Sequence, residues 1–192
     1  PEKFTSYFTA TGTVEAVNDA FISPELNGQI SKIYVQQGDR VNKGKLLVQL
    51  NTDVTQNNID EIKTNLELAS KLYEKQKQLW DKEIGSEVQY LESKNRKESL
   101  EARLKTLKSQ LAMSYIRAPF SGIVDDVMVK SGELASPGMP LLRLVNIDEM
   151  RITAMISESF FGKVNEGDTV ELSFSNYEDW KLHMPIYRIG TV

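Results

Sequence analysis

The sequence predicts an elongated α+β chain. A small β-sandwich is split in two by an antiparallel α-helical coiled-coil hairpin, and a partial β-barrel domain follows. Three observations predict it. A glycine-punctuated strand pattern occurs twice, from Pro24 to Leu50 and from Pro119 to Leu144, at a constant offset of 94 residues from Gly28 onward. Six positions are identical between the copies: Gly28/Gly122, Val35/Val129, Gly38/Gly132, Gly44/Gly138, Leu47/Leu141 and Leu50/Leu144. The 62 residues from Thr52 to Met113 hold one glycine and no proline, while all six prolines and the other ten glycines lie outside them. After Asn146 strand-like texture returns in a third pattern.

Taken in chain order, Thr5–Val14 reads as a strand that joins the later β domain, so residues 1–15 are assigned to it. Residues 16–52 form the first half of the sandwich. Ile30, Ile33, Val35, Val41, Leu46, Val48 and Leu50 supply its apolar positions, and Gly38-Asp39 marks a turn. Gly28, Gly38 and Gly44, with Gly122, Gly132 and Gly138 in the second copy, are read as structural glycines.

Residues 53–113 hold no proline and a single glycine, and carry apolar residues in steps of three and four: Ile59, Ile62, Leu66, Ala69, Tyr73, Gln76 as filler, and Trp80. Leu100, Leu104, Leu107 and Leu111 repeat the spacing, which is that of a coiled-coil seam. The stretch contains eleven acidic and eleven basic residues, and Glu67–Lys71, Glu92–Arg96 and Glu101–Lys105 stand at i,i+4 in the favourable order. Gly85 is placed as the left-handed residue that closes the first helix, at about 53–82. Ser86 with Gln89 forms a capping-box pattern that opens the second, at about 86–113, and Asn51, Thr52 or Asp53 caps the first. At ~1.5 Å per residue each arm reaches about 40–45 Å. An arm that long implies a contact at its tip, where Trp80 and Ile84 are expected to be exposed.

Residues 114–147 complete the sandwich, with Ile123, Val124, Val127, Val129, Leu134, Leu142 and Leu144 apolar. Residues 148–192 read as the start of a β domain: a strand over Met150–Ile156, a short helix over Ser157–Val164, a turn at Gly167-Asp168 and a strand over Thr169–Phe174.

Composition narrows function chiefly by exclusion. Net charge is −4, against a broad nucleic-acid surface, and no apolar run reaches the ~18 residues that cross a bilayer. There is no cysteine, hence no thiol nucleophile or thiolate metal site. His183 is the only histidine and supports neither a triad nor a zinc site. The methionines are scattered, which suits core filling; Asp125-Asp126 reads as a solvated acidic pair; Lys43-Gly44-Lys45 lacks the rest of a phosphate loop. No enzyme, cofactor or metal is expected.

Pro24…Gly28-Gln29-Ile30…Val35…Gly38-Asp39…Val41…Lys43-Gly44 resembles the first lipoyl half-motif of the periplasmic adaptors, or membrane fusion proteins, of the haemolysin-D-like superfamily. Ile116-Arg117-Ala118-Pro119-Phe120-Ser121-Gly122-Ile123-Val124 resembles their second half-motif. The resemblance implies a split lipoyl-like sandwich (a barrel-sandwich hybrid) and a periplasmic location with attachment to the inner membrane through an N-terminal anchor. It implies as partners an inner-membrane transporter and an outer-membrane TolC-like channel, with self-association into a ring, expected as a hexamer, for efflux of small molecules. It is similar in particular to adaptors of resistance–nodulation–division (RND) pumps. The adaptor of an ABC-type exporter or type I secretion system is the alternative.

The resemblance also assigns channel docking to the hairpin tip: Gln76, Leu79, Trp80, Lys82, Glu83, Ile84, Gly85 and Ser86. Leu79 and Ser86 match the last two positions of the family's docking motif. Gln76 stands where an Arg is expected, flanked by Lys75 and Lys77. Biotinyl and lipoyl carrier domains share such a sandwich and are a rival of another class. They present a modified lysine between the halves, where this chain inserts its long arm, and no Met-Lys-Met sequence is present.

Overall fold

The computed structural model describes residues 8–160, 162–174 and 177–190. It has ten strands and two long helices: β1 (Gly12–Ile22), β2 (Gly28–Ile33), β3 (Arg40–Val41), β4 (Leu46–Leu50), α1 (Asp53–Trp80), α2 (Glu87–Met113), β5 (Tyr115–Arg117), β6 (Gly122–Val127), β7 (Leu134–Ala135), β8 (Leu142–Ala154), β9 (Thr169–Phe174) and β10 (Tyr177–Pro185). Contacts divide the chain into two compact units, Ala16–Met150 and Pro1–Glu15 with Arg151–Val192.

In the unit Ala16–Met150 the two halves interlock. One sheet runs β5-β4-β2-β7 and the other β1-β8-β6-β3. The short strands change sides: β3 of the first half pairs with β6, Arg40 opposite Ile123, and β7 of the second pairs with β2, Gly28 opposite Ala135. The exchange is reciprocal down to single hydrogen bonds. Gly38 N–H donates to Val124 C=O at 2.8 Å, and Gly132 N–H donates to Ile30 C=O at 2.8 Å. Val124 N–H donates to Asp39 C=O at 2.9 Å, and Ile30 N–H to Glu133 C=O at 2.8 Å. Each turn also closes on an acid: Asp39 accepts from Gln36 N–H at 2.8 Å and Glu133 from Lys130 N–H at 3.0 Å.

One core serves both halves. Ile22, Ile30, Val35, Val41, Leu47, Val48 and Leu50 meet Ile116, Ala118, Val124, Val129, Ala135, Leu141, Leu142 and Leu144, all buried. The repeated glycines do two different jobs. Gly38, Gly44, Gly132 and Gly138 take φ between 84° and 94°, where an L side chain is strained. Gly122 instead lies where a Cβ would meet the Val145 carbonyl oxygen at 2.5 Å.

Outside the core, Arg143 on β8 holds both carboxylates of a charged cluster, Asp19 on β1 at 2.5 Å and Asp125 on β6 at 3.3 Å. Asp125 therefore has a partner, contrary to the solvated pair expected from sequence; the partner comes from a strand 18 positions away and is invisible to local reading. The guanidinium hydrogen bond holds the Asp19 carboxyl below its ordinary value of 3.8. A lowered acid stabilises the fold above that ordinary value, and its contribution is lost as pH falls through the lowered one.

In the other unit, β9 and β10 pair antiparallel, with His183 opposite Glu171 and Met184 opposite Val170. Phe8 stacks on Phe160 with centroids 4.2 Å apart. Three expectations change. β8 is continuous from Leu142 to Ala154, without the break expected after Asn146, because it shares the long β1 as a sheet neighbour. The helix expected over Ser157–Val164 is a single 3-10 turn, Glu158–Phe160, followed by Gly162 at φ 87°. The strand expected over Thr5–Val14 begins at Gly12; residues 1–7 lie outside the described residues.

Gly122→Ala and Gly138→Ala separate the two glycine roles. The first should destabilise the chain by about 2–4 kcal/mol through a backbone clash. The second should cost about 1 kcal/mol through strain alone, since nothing lies within 4 Å of its Cβ position. Equal losses in urea unfolding would contradict the contact argument.

Candidate functional site

The hairpin grows directly out of a strand pair. β4 and β5 are antiparallel neighbours, Val48 opposite Ile116 and Gln49 opposite Tyr115. α1 starts three residues after β4 and α2 ends two before β5. The start of α1 is capped one residue early: Thr52 holds the N-cap position without a side-chain bond, while the Asn51 side-chain oxygen accepts from Asp53 N–H at 2.9 Å.

α1 has 28 residues, about 42 Å at 1.5 Å each. The seam follows the spacing predicted from sequence. On α1, Ile59, Ile62 and Ala69 are buried, with Leu66, Tyr73 and Gln76 half-buried. On α2 the half-buried line is Tyr90, Ser93, Lys97, Leu100, Leu104, Leu107 and Leu111. The seam changes character along its length. Near the sandwich it is aliphatic. Towards the tip it becomes an aromatic stack: Tyr73 and Tyr90 have centroids 5.9 Å apart, Tyr90 and Trp80 6.0 Å, and Lys97 Nζ sits 5.2 Å from the Tyr73 ring centre. Hydrogen bonding with Tyr73 and desolvation push the Tyr90 phenol above its ordinary pKa.

The two flanks of the hairpin differ. The ion pairs Asp60–Lys63, Glu67–Lys71, Lys94–Glu98 and Lys97–Glu101 fall on one side of the seam. Only the first of the three favourably ordered pairs expected from sequence forms among them; Glu101 turns back to Lys97 rather than forward to Lys105. Heptad geometry puts Leu68, Leu72 and Leu79 on the other side, where they are 60%, 47% and 42% exposed.

At the tip the chain turns by a full Schellman motif. Ile84 N–H donates to Leu79 C=O at 2.9 Å, and Glu83 N–H donates to Trp80 C=O at 2.9 Å. The left-handed residue of that motif is Glu83, at φ 58°, and not Gly85 as expected from sequence. Gly85 follows at φ 129°, outside the region an L residue takes easily. An L residue at the left-handed position costs about 1–2 kcal/mol. Ser86 occupies the N-cap of α2 with extended backbone but makes no side-chain cap bond, so the expected capping box is not formed.

Of the residues expected to dock, Gln76 is a half-buried seam filler and Trp80, 39% exposed, is partly committed to its stack on Tyr90. Leu79, Lys82, Glu83, Ile84, Gly85 and Ser86 are exposed, Ile84 at 60%. Sequence reading missed Val88 and Leu91 on α2, exposed at 61% and 50% close behind the turn. Two apolar residues three apart just after a cap were the available signal.

The family described as "CzcB-like, alpha-helical hairpin domain" matches residues 56–113. The antibiotic efflux pump periplasmic linker protein ArpA of Pseudomonas putida is 30% identical over 138 residues, covering 72% of this chain and 37% of ArpA. The macrolide export protein MacA of Yersinia pestis is 28% identical over 181 residues, covering 78% of this chain and 49% of MacA. The chain thus spans less than half the length of either relative. A crystal structure of a MacA–MexA chimeric protein containing the Pseudomonas aeruginosa MexA α-hairpin domain superposes with a TM-score of 0.85 at 24% identity, over 93% of this chain and 64% of the other, a likeness of fold.

Trp80→Ala should cost about 1–2 kcal/mol through the lost stack, and speed amide exchange in the distal hairpin. Ile84→Ala should change stability by less than about 0.5 kcal/mol, as for an exposed side chain. Hydrogen exchange around residues 76–92 distinguishes them, and equal protection in both variants would refute the stacked-seam assignment.

Proposed function

We propose that this chain, recognisable by its hairpin, relatives and fold as a periplasmic adaptor of the membrane-fusion-protein kind, links an inner-membrane efflux transporter to an outer-membrane TolC-like channel. It acts as a tether and conduit wall and performs no chemistry. The observation that carries the reading is the arm itself. Two helices leave and re-enter one interlocked sandwich through adjacent strands, and the arm ends in exposed Leu79, Ile84, Val88 and Leu91. A solvated helix pair gains nothing in stability from an apolar end; a contact at the end explains it.

On this reading the sandwich base is the fixed part, the tip meets the channel, and the second unit contacts the transporter. Copies associate laterally into a ring, a hexamer by the resemblance. The flank that carries Leu68, Leu72 and Leu79 offers apolar surface for that packing, and the four ion pairs of the helices lie on the other side. The contact area along one flank is small, so self-association in isolation is weak and gains from tethering at the membrane. An RND transporter is the motor favoured by the resemblance. An ABC-type motor is the second reading, and the similarity to a macrolide export protein keeps it in play. Identifying the transporter that co-purifies with the full-length protein separates the two.

The tip is tested with Ile84→Asp in the full-length protein. Ile84 is exposed and outside the seam, so folding and expression should be normal while export and channel binding fall at least tenfold. Normal export by a well-folded Ile84→Asp protein would remove the tip from the mechanism. Leu72→Lys should leave the melting temperature within a few degrees and weaken ring formation; unchanged sedimentation would exclude the leucine flank.

A further inference from the structure

Among the described residues, Glu83 is the one non-glycine with positive φ, and it stands at the centre of the tip turn. Glycine is the usual occupant of this Schellman position, because it lacks the Cβ that makes the left-handed region unfavourable. The chain does use glycine two residues later, at Gly85, whose φ of 129° leaves little alternative. At position 83 it keeps a carboxylate instead.

Nothing inside the hairpin compensates for that choice. The Glu83 side chain is exposed and takes part in no hydrogen bond or ion pair among the described residues. The carbonyl end of α1, which lies immediately before it, disfavours an anion. The amide end of α2 has the opposite field, but its N-cap Ser86 makes no side-chain bond and Glu83 supplies none either. A strained backbone that carries an unpartnered charge, at the point of a projecting arm, is the pattern of a residue whose partner is elsewhere.

We infer that Glu83 is a specificity-determining contact of the tip, and that its carboxylate pairs with a cationic side chain, Arg or Lys, on the rim of the outer-membrane channel. The inference rests on the docking reading above and adds to it the chemistry of the contact. The turn leaves the Glu83 side chain exposed at the end of the arm, without a partner in either helix among the described residues. Exposed Leu79, Ile84, Val88 and Leu91 lie within eight residues of it in the chain and supply apolar surface that would lose water on docking, which strengthens a nearby charge pair.

The test uses the full-length protein and a purified TolC-type channel in nanodiscs, at two salt concentrations. Glu83→Gln keeps size and backbone; it should leave the melting temperature unchanged, weaken channel binding about five- to fiftyfold and flatten its salt dependence. Glu83→Gly should raise the melting temperature by about 2–5 °C by relieving the turn, and yet weaken binding to the same extent. A stabilised arm that binds worse is an outcome a purely structural residue cannot produce. Ile84→Asp runs alongside. If it abolishes binding while both Glu83 variants bind like wild type, the charge contact is wrong and tip docking stands. If Ile84→Asp also binds like wild type, or the wild type does not bind the channel at all, docking and the charge contact fall together.

Discussion

The structure depends on the exchange of short strands between two halves separated by the whole hairpin. β3 belongs to the first half and completes the second half's sheet; β7 does the converse. Neither half can bury its apolar face alone, since Val41 and Ala135 reach the core only on borrowed sheets. The halves therefore close together or not at all. The long loop entropy of joining residues some ninety positions apart is largely removed by the hairpin, which folds on local contacts and brings its own ends together. Sandwich and hairpin stabilise one another through that shared closure.

The hairpin is built to be firm at its base and adaptable at its end. Near the sandwich the seam carries buried Ile59 and Ile62 on α1 and half-buried Leu104, Leu107 and Leu111 on α2. Towards the tip the facing positions are Tyr73, Gln76 and Trp80 against Tyr90, Ser93 and Lys97, groups that stack and slide more readily than they lock. Local opening should be concentrated there. In the proposed docking this gradient would let the tip adjust without loosening the clasp.

The adaptor architecture was legible because its signals are local or repetitive. A constant offset, glycines at fixed places and a heptad spacing survive without any knowledge of contacts, and so the split sandwich and the seam were read correctly. What sequence reading missed depended on choices between near-equal local options. Gly85 and Glu83 both could end α1; the 6→1 bond from Ile84 to Leu79 decides for Glu83, and hydrogen-bond closure outweighs the side-chain preference. Ser86 and Gln89 match a capping box by pattern, yet Ser86 makes no side-chain cap bond. Trp80, which the sequence puts both on the seam spacing and at the exposed tip, is 39% exposed and also stacks on Tyr90. Asp125 looked unpartnered until β8 brought Arg143 alongside.

The junction between strand and helix makes the arm a lever. Paired strands lie about 4.8 Å apart, whereas packed helices need 8–10 Å between axes. The widening happens within a few residues. Asn51 is fixed there by its N–H to Gln29 C=O at 2.8 Å and by its side chain on Asp53, and Leu50 N–H donates to Ser114 C=O at 2.9 Å. Ser114 is buried, and its hydroxyl bonds back to Gln110 C=O at 3.1 Å. Few rotatable bonds remain between β-sheet and coiled coil, so the direction of the arm is set by the sandwich. Over an arm of about 42 Å, a tilt of about 5° at the base displaces the tip by about 4 Å, some two-thirds of the ~5.4 Å rise of a helical turn. In the proposed ring, small differences in how sandwiches pack against their neighbours would move the tips by several ångström, which would couple assembly at the base to engagement at the end.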